Sequence, residues 1–164
     1  MAQLIKYEST GIEPAKSAGQ IMDLVRRYGG RSFTQIWGEG QTVLGIRFTL
    51  AFEELGPLPV QMHARTARIE EILNEGGKWK SQGYAKRKEL IAAQAQRIAW
   101  RHLKDLTEQL LLAVALGLKT PGEAFMDGVE VEDPATGETT TMGKLLAQHA
   151  QISSSGQIRL LGRC

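Results

Sequence analysis

Gln41-Thr-Val-Leu-Gly-Ile-Arg-Phe-Thr-Leu-Ala-Phe52 is the stretch on which the fold class turns. Leu44, Ile46, Phe48, Leu50 and Phe52 alternate with Val43, Gly45, Arg47, Thr49 and Ala51. That is the period of two by which a strand sends successive side chains to opposite faces of a sheet. Downstream, from Gly83 to Leu116, no proline or glycine interrupts a helical pattern, and Ala92-Ala-Gln-Ala-Gln96 has high helix propensity. Alternating strands followed by a long helix predict an α+β fold.

Working toward the N-terminus, Arg31 to Trp37 reads as a second strand, joined to the first by Gly38-Glu-Gly40. A helix is expected after Pro14, with Ile21, Met22, Leu24, Val25 and Tyr28 toward one side and Gly29-Gly30 as its end. Gln3 to Tyr7 is read as an initial strand, which makes residues 1–62 a β-α-β-β unit. Gly56-Pro-Leu-Pro59 is read as a break, because proline cannot donate to a ladder.

Toward the C-terminus, Thr66 to Asn74 reads as a short helix closed by Gly76-Gly77. The helix Gly83–Leu116 would span roughly 51 Å at about 1.5 Å per residue, against a radius of gyration of about 15 Å for a compact chain of this size. It must therefore kink, project or meet another subunit, and its amphipathic first half is the candidate for projection. Residues 63–118 are thus helical, basic and then apolar. Residues 119–152 follow as a small acidic region: a helix start at Thr120-Pro-Gly-Glu123, a hairpin of 129–132 with 139–141 across Asp133–Gly137, and a last helix from Thr141 to His149. Ser153-Ser-Ser-Gly156 opens a flexible tail over 153–164. The whole of 1–164 is read as a single domain, the usual outcome for 164 residues.

Hydrophobic residues at 42% and charged residues at 23% belong to a folded chain rather than a disordered one. The longest apolar run, Leu110 to Leu118, is too short to cross a membrane. The first residues lack the plan of a signal peptide, so a cytoplasmic protein without a membrane partner is expected. The one cysteine, Cys164, excludes an internal disulfide and a multi-cysteine zinc site.

Charge is segregated. Residues 1–62 hold six Lys/Arg and six Asp/Glu, residues 63–104 ten against four, and residues 105–164 four against eight. A basic middle suggests an anionic partner. Within it, Arg97, Arg101 and Lys104 follow i, i+4, i+7 and form a stripe, with Trp100 beside Lys104 and outside the main apolar sector. That sector is read as Tyr84, Ile91, Ala95, Ile98, Ala99, His102, Leu103 and Leu106. Lys78, Lys80, Lys86, Arg87 and Lys88 extend the positive surface toward the helix start, and Arg31, Trp37 and Arg47 join it if the free sheet face turns the same way. An aromatic among cations suits stacking of an unpaired base while the cations hold phosphates. The competing reading is that Trp100 packs in the core and its arginines form ion pairs.

No catalytic, cofactor or metal site emerges. Gly40 and Gly45 have the glycine spacing of a phosphate loop, but Ile46 and Arg47 stand where Lys and Ser/Thr are required. His63, His102 and His149 lie far apart, and the acidic residues Glu130, Glu132, Asp133 and Glu138 match no calcium loop.

Tyr7-Glu-Ser-Thr before a helix, a hairpin ending in Arg47-Phe48, Arg97-x-x-Trp100-Arg101-x-Leu103, and Gly117-x-x-Thr120-Pro-x-Glu123-x-Phe125 together resemble small uncharacterised proteins of bacterial viruses and mobile elements, over about residues 5–150. The resemblance implies a genomic setting and brings no activity or site residues. The expected function is a non-enzymatic, homo-oligomeric accessory protein that binds single-stranded or locally opened DNA. The alternative is an inhibitor or adaptor acting on a host protein.

Overall fold

The computed structural model describes residues 5–39, 42–52, 56–133, 136–152 and 158–160. The fold is α+β. Helix α1 (Pro14–Arg27) leads into three strands, β1 (Arg31–Trp37), β2 (Val43–Phe52) and β3 (Gly56–His63). Helix α2 (Ala67–Gly76) and the long helix α3 (Tyr84–Ala115) follow. A short helix α4 (Pro121–Phe125), a hairpin of β4 (Glu130–Glu132) and β5 (Thr139–Thr141), helix α5 (Met142–His149) and a hairpin of β6 (Ala150–Ile152) and β7 (Ile158–Leu160) complete the order.

The sheet is an antiparallel meander, β1-β2-β3. The alternation of β2 sorts its side chains as expected from Ile46 to Leu50, while Leu44, expected on the same face, is exposed at the start of the strand. Ile46, Phe48 and Leu50 are fully buried, while Arg47 and Ala51 are exposed. Phe48 lies opposite Val60, and Ile46 opposite Gln35 on one side and Met62 on the other. Gly45 permits this pairing, because a Cβ there would stand 2.3 Å from the Met62 carbonyl oxygen.

Two readings of the N-terminal unit are corrected. Gly56-Pro-Leu-Pro59 is not a break but the first half of β3, paired with Thr49 to Phe52. Pro57 and Pro59 alternate, so their missing donors fall on one side of the strand, and β3 is a sheet edge where proline is tolerated. The expected strand at Gln3–Tyr7 is also absent where described. Residues 6–9 form a turn, and Tyr7 sits at φ 70°; Gln3 and Leu4 lie outside the described residues. The N-terminal unit is thus α-β-β-β, preceded by a strap that crosses α3. Gln94 of α3 donates to the carbonyls of Glu8 (2.8 Å) and Thr10 (3.0 Å) and holds the strap down.

Helix α1 starts at Pro14 and ends as its glycines predict. Gly29 takes φ 81°, and the amides of Gly29 and Gly30 return to the carbonyls of Arg26 and Val25 at 3.0 and 2.8 Å. This is the Schellman arrangement that satisfies the last carbonyls of a helix. Helix α3 ends in the same way at Gly117 (φ 69°), with Leu118 bonding back to Ala113. At about 1.5 Å per residue α3 is roughly 48 Å long.

The core has two parts. Ile21, Leu24 and Val25 of α1 join Phe48, Val60, Trp100, Leu103 and Phe125 in the larger cluster; Leu73 of α2 joins Ile91, Ala95 and Ile98 of α3 in the smaller. The first half of α3 therefore packs against α2 from Ile91 onward, while Tyr84 at its start stays exposed. The acidic hairpin forms as expected, with Glu130 opposite Thr141 and Glu132 opposite Thr139. It is attached to the edge of β3 through a Val60–Val129 bridge and to β2 through an Arg47–Glu130 ion pair at 2.5 Å. Thr120 and Glu123 make a reciprocal capping box at the start of α4. The break placed at 153–156 lies outside the described residues. No described helix is long and apolar enough to cross a membrane.

Candidate nucleic-acid interface

The basic residues singled out from the sequence separate into two groups. In the first, on the middle of α3, every cation is engaged. Arg97 binds Glu13, the residue that precedes α1, at 2.8 Å. The Arg101 guanidinium donates to Gln20 at 2.7 Å and lies 5.3 Å from the centre of the Tyr7 ring. Lys104 pairs with Glu108 and approaches Asp105 at 3.7 Å. Trp100, expected outside the apolar sector, has 0% exposure and is the largest fully buried side chain. Its ring has no face for a base to stack on. Its indole Nε1 has no hydrogen-bond partner among the described residues, so packing holds it.

The reason lies in the way α3 serves both clusters. At about 100° per residue, Ile91, Ala95 and Ile98 define one buried sector, and Trp100, Leu103, Thr107 and Leu111 another, turned by roughly 160°. A single sector drawn along the whole helix leaves Trp100 outside, whereas the second sector is centred on it. Arg97 and Arg101 then border α1 and the strap, where their partners wait.

The second group lies at the other end of α3 and stays open. Gly77 ends α2 in the left-handed conformation, φ 74°. The connection turns twice, through Lys80 N–H to the Gly77 carbonyl (3.1 Å) and Gln82 N–H to the Trp79 carbonyl (3.0 Å). Trp79 is half-buried against Leu73, Ile91, Ala95 and Ile98 and anchors the connection, with Lys78 Nζ 5.2 Å from its ring centre. Lys78, Lys80, Lys86 and Lys88 are exposed and make no ion pair among the described residues. Arg87 is the exception, because its guanidinium donates to the Asn74 carbonyl at 3.0 Å and to the Asn74 side chain. It ties the end of α2 to the start of α3, where a cation also complements the helix carbonyls.

Between the lysines stands an aromatic that the sequence reading assigned to the apolar side. Tyr84, the first residue of α3, is 84% exposed. Helix periodicity misplaced it because the partner layer, α2, begins to cover α3 only near Ile91. The available signal was its position one residue after Gly83, with lysines on both sides. The first turn of α3 holds no acidic residue, so the positive end of the helix dipole adds to the lysine field.

The remaining sheet candidates do not join this surface by pairing. Arg47 is held by Glu130, and Trp37 is 58% exposed at the end of β1 opposite Val43. Among the described residues no group of three His, Cys, Asp or Glu side chains is placed to hold a metal ion. No protein-family model, no curated protein and no solved structure matches the chain.

Proposed function

We propose that the chain is a non-enzymatic accessory protein that holds single-stranded or locally opened nucleic acid, DNA in the first instance, along residues 78–88. The observation that carries this reading is the exposure of Tyr84 between four lysines that have no acidic partner among the described residues. Lysines held by no carboxylate remain available to phosphates, and a solvated phenol ring offers a flat surface to an unpaired base. Phosphate contacts on a single strand lower the logarithm of affinity by about 0.7 per contact for each tenfold rise in salt. Four lysines therefore predict a slope of roughly −3. Sequence specificity is low, because nothing in the segment reads base edges.

Self-association belongs to the same reading. Leu112, Leu116 and Leu118 are 47%, 63% and 74% exposed at the far end of α3. Contact between copies there would leave the lysine segment free and add avidity along a strand.

The test is fluorescence anisotropy of labelled single-stranded and duplex oligonucleotides, titrated at several salt concentrations. Binding that falls with salt, and falls further for Tyr84→Ala, supports the reading; absence of binding at low salt overturns it. A second reading, attachment to an acidic host protein, is favoured by Trp37, since large exposed aromatics anchor protein interfaces. It predicts that the purified protein alone retains no nucleic acid.

A further inference from the structure

A cleft of about 860 Å³ opens between the end of β3, the middle of α3 and the start of α5. Its size is that of a small-molecule site rather than of a single ion. The two sides differ in chemistry. Met62, Ile69, Leu103 and Leu106 supply an apolar wall, while His63, Arg65, Asp127, Thr141 and Lys144 supply polar groups from three separate parts of the chain.

Three observations point to an anion. Arg65 and Lys144 are exposed and have no ion pair among the described residues. His63 lies on the lining with them, and the charges of both reach its ring, so the two cations converge on one part of the cleft. Burial, reinforced by the charges of Lys144 and Arg65, holds the His63 imidazole below its ordinary range. Asp127 is the one carboxylate on the lining, so positive groups prevail there. His102 also lines the cleft; its Nε2 faces the Lys6 carbonyl at 3.1 Å, which can only accept, so Nε2 carries the proton.

We propose that this cleft binds a phosphomonoester with a hydroxylated, partly apolar body the size of a nucleoside monophosphate. The phosphoryl group sits between Arg65 and Lys144, which donate to its oxygens, with the His63 ring beside it as a reporter of its charge. Asp127 and Thr141 meet hydroxyls of the body, and the apolar wall takes its flat or aliphatic part. The site is distinct from the lysine segment, and its test does not depend on nucleic-acid binding.

The test uses the full chain with adenosine 5′-monophosphate, adenosine and inorganic phosphate as probes, followed by calorimetry and by NMR of the His63 ring. The expected result is saturable binding of the monophosphate, weaker binding of phosphate, none of adenosine, and a rise of the His63 pKa on saturation. Arg65→Ala and Lys144→Ala each weaken binding roughly tenfold, the usual loss of one charge-assisted contact. Lys16→Ala, which removes a positive charge from outside the lining, leaves it unchanged. Both cleft residues are exposed, so their removal does not threaten the fold. A His63 resonance unmoved by millimolar monophosphate overturns the proposal. Binding insensitive to Arg65→Ala and Lys144→Ala also overturns it, as does phosphate alone binding as tightly as the monophosphate.

Discussion

The Tyr7 hydroxyl donates to Asp105 Oδ2 at 2.5 Å, joining the N-terminal strap to α3 across 98 positions of sequence. Lys6 reaches the same oxygen at 2.7 Å, and the Tyr7 ring meets the His102 ring edge-on at 5.5 Å between centres. The left-handed backbone at Tyr7 is the conformation that turns its side chain into this cluster. Removing the hydroxyl leaves a half-buried carboxylate short of one donor. Tyr7→Phe is expected to cost about 1 kcal/mol, measured by denaturant unfolding. Faster amide exchange over residues 5–10 should accompany it, and unchanged exchange would mean that Gln94 alone secures the strap.

The same carboxylate makes stability depend on acid. Burial pushes Asp105 upward, but the hydrogen bonds from Lys6 and Tyr7, with the charges of Lys6 and Lys104, outweigh it and hold the group below its ordinary range. A depressed acid contributes stability that is fully present above the unfolded value, about 3.9, and lost as pH falls through the lower folded one. Glu123 behaves likewise, held down by its hydrogen bonds with Thr120. Asp105→Asn is therefore expected to flatten the fall in melting temperature below about pH 4. His63 acts in a higher window: its folded pKa is lowered, so stability declines as pH drops below its unfolded value of about 6.5. An acid limb equally steep in Asp105→Asn would assign the effect to other groups.

Trp100 and Tyr84 should behave in opposite ways. Trp100→Ala empties the centre of the main cluster, with an expected loss of about 3–5 kcal/mol. Tyr84→Ala removes a solvated ring, and its unfolding midpoint should stay within experimental scatter. In oligonucleotide binding the order reverses, since loss of a stacking ring costs roughly 1–3 kcal/mol per base. A stable Trp100→Ala protein would contradict the burial of that indole.

Gly45→Ala tests the close approach of β2 and β3. Its Cβ would stand 2.3 Å from the Met62 carbonyl oxygen and 3.1 Å from the His63 Cα, both backbone atoms. Relief requires the strands to separate, with an expected cost of about 1–3 kcal/mol. Chemical denaturation measures it, and a neutral result would mean that the edge strand shifts freely.

Leu116→Lys addresses self-association. If the exposed leucines of α3 join copies of the chain, the charge should convert an oligomer to a monomer in sedimentation equilibrium without lowering the melting temperature. A wild-type chain that is monomeric at high concentration removes that part of the proposal.

Local chemistry carried much of the fold. The inward face of β2 from Ile46 to Leu50, the glycine end of α1, the helix start at Thr120 and the pairing of 130–132 with 139–141 are each specified by residues within a few positions of one another, and each forms as read. β3 escaped because its prolines report what the strand lacks, whereas its acceptance depends on being an edge, a property of the sheet.

For the candidate interface, the sequence by itself determined that positive charge gathers between residues 63 and 104 and that aromatics stand within it. Which charges remain open was decided only by tertiary structure. Arg97 and Arg101 find Glu13, just before α1, and Gln20 within it, more than 80 positions away, and no helical wheel contains those partners. Trp100 is buried because α3 changes the layer it serves along its length. A period of 3.6 residues describes one face of one helix; the number of faces to be covered is set by the elements that pack around it.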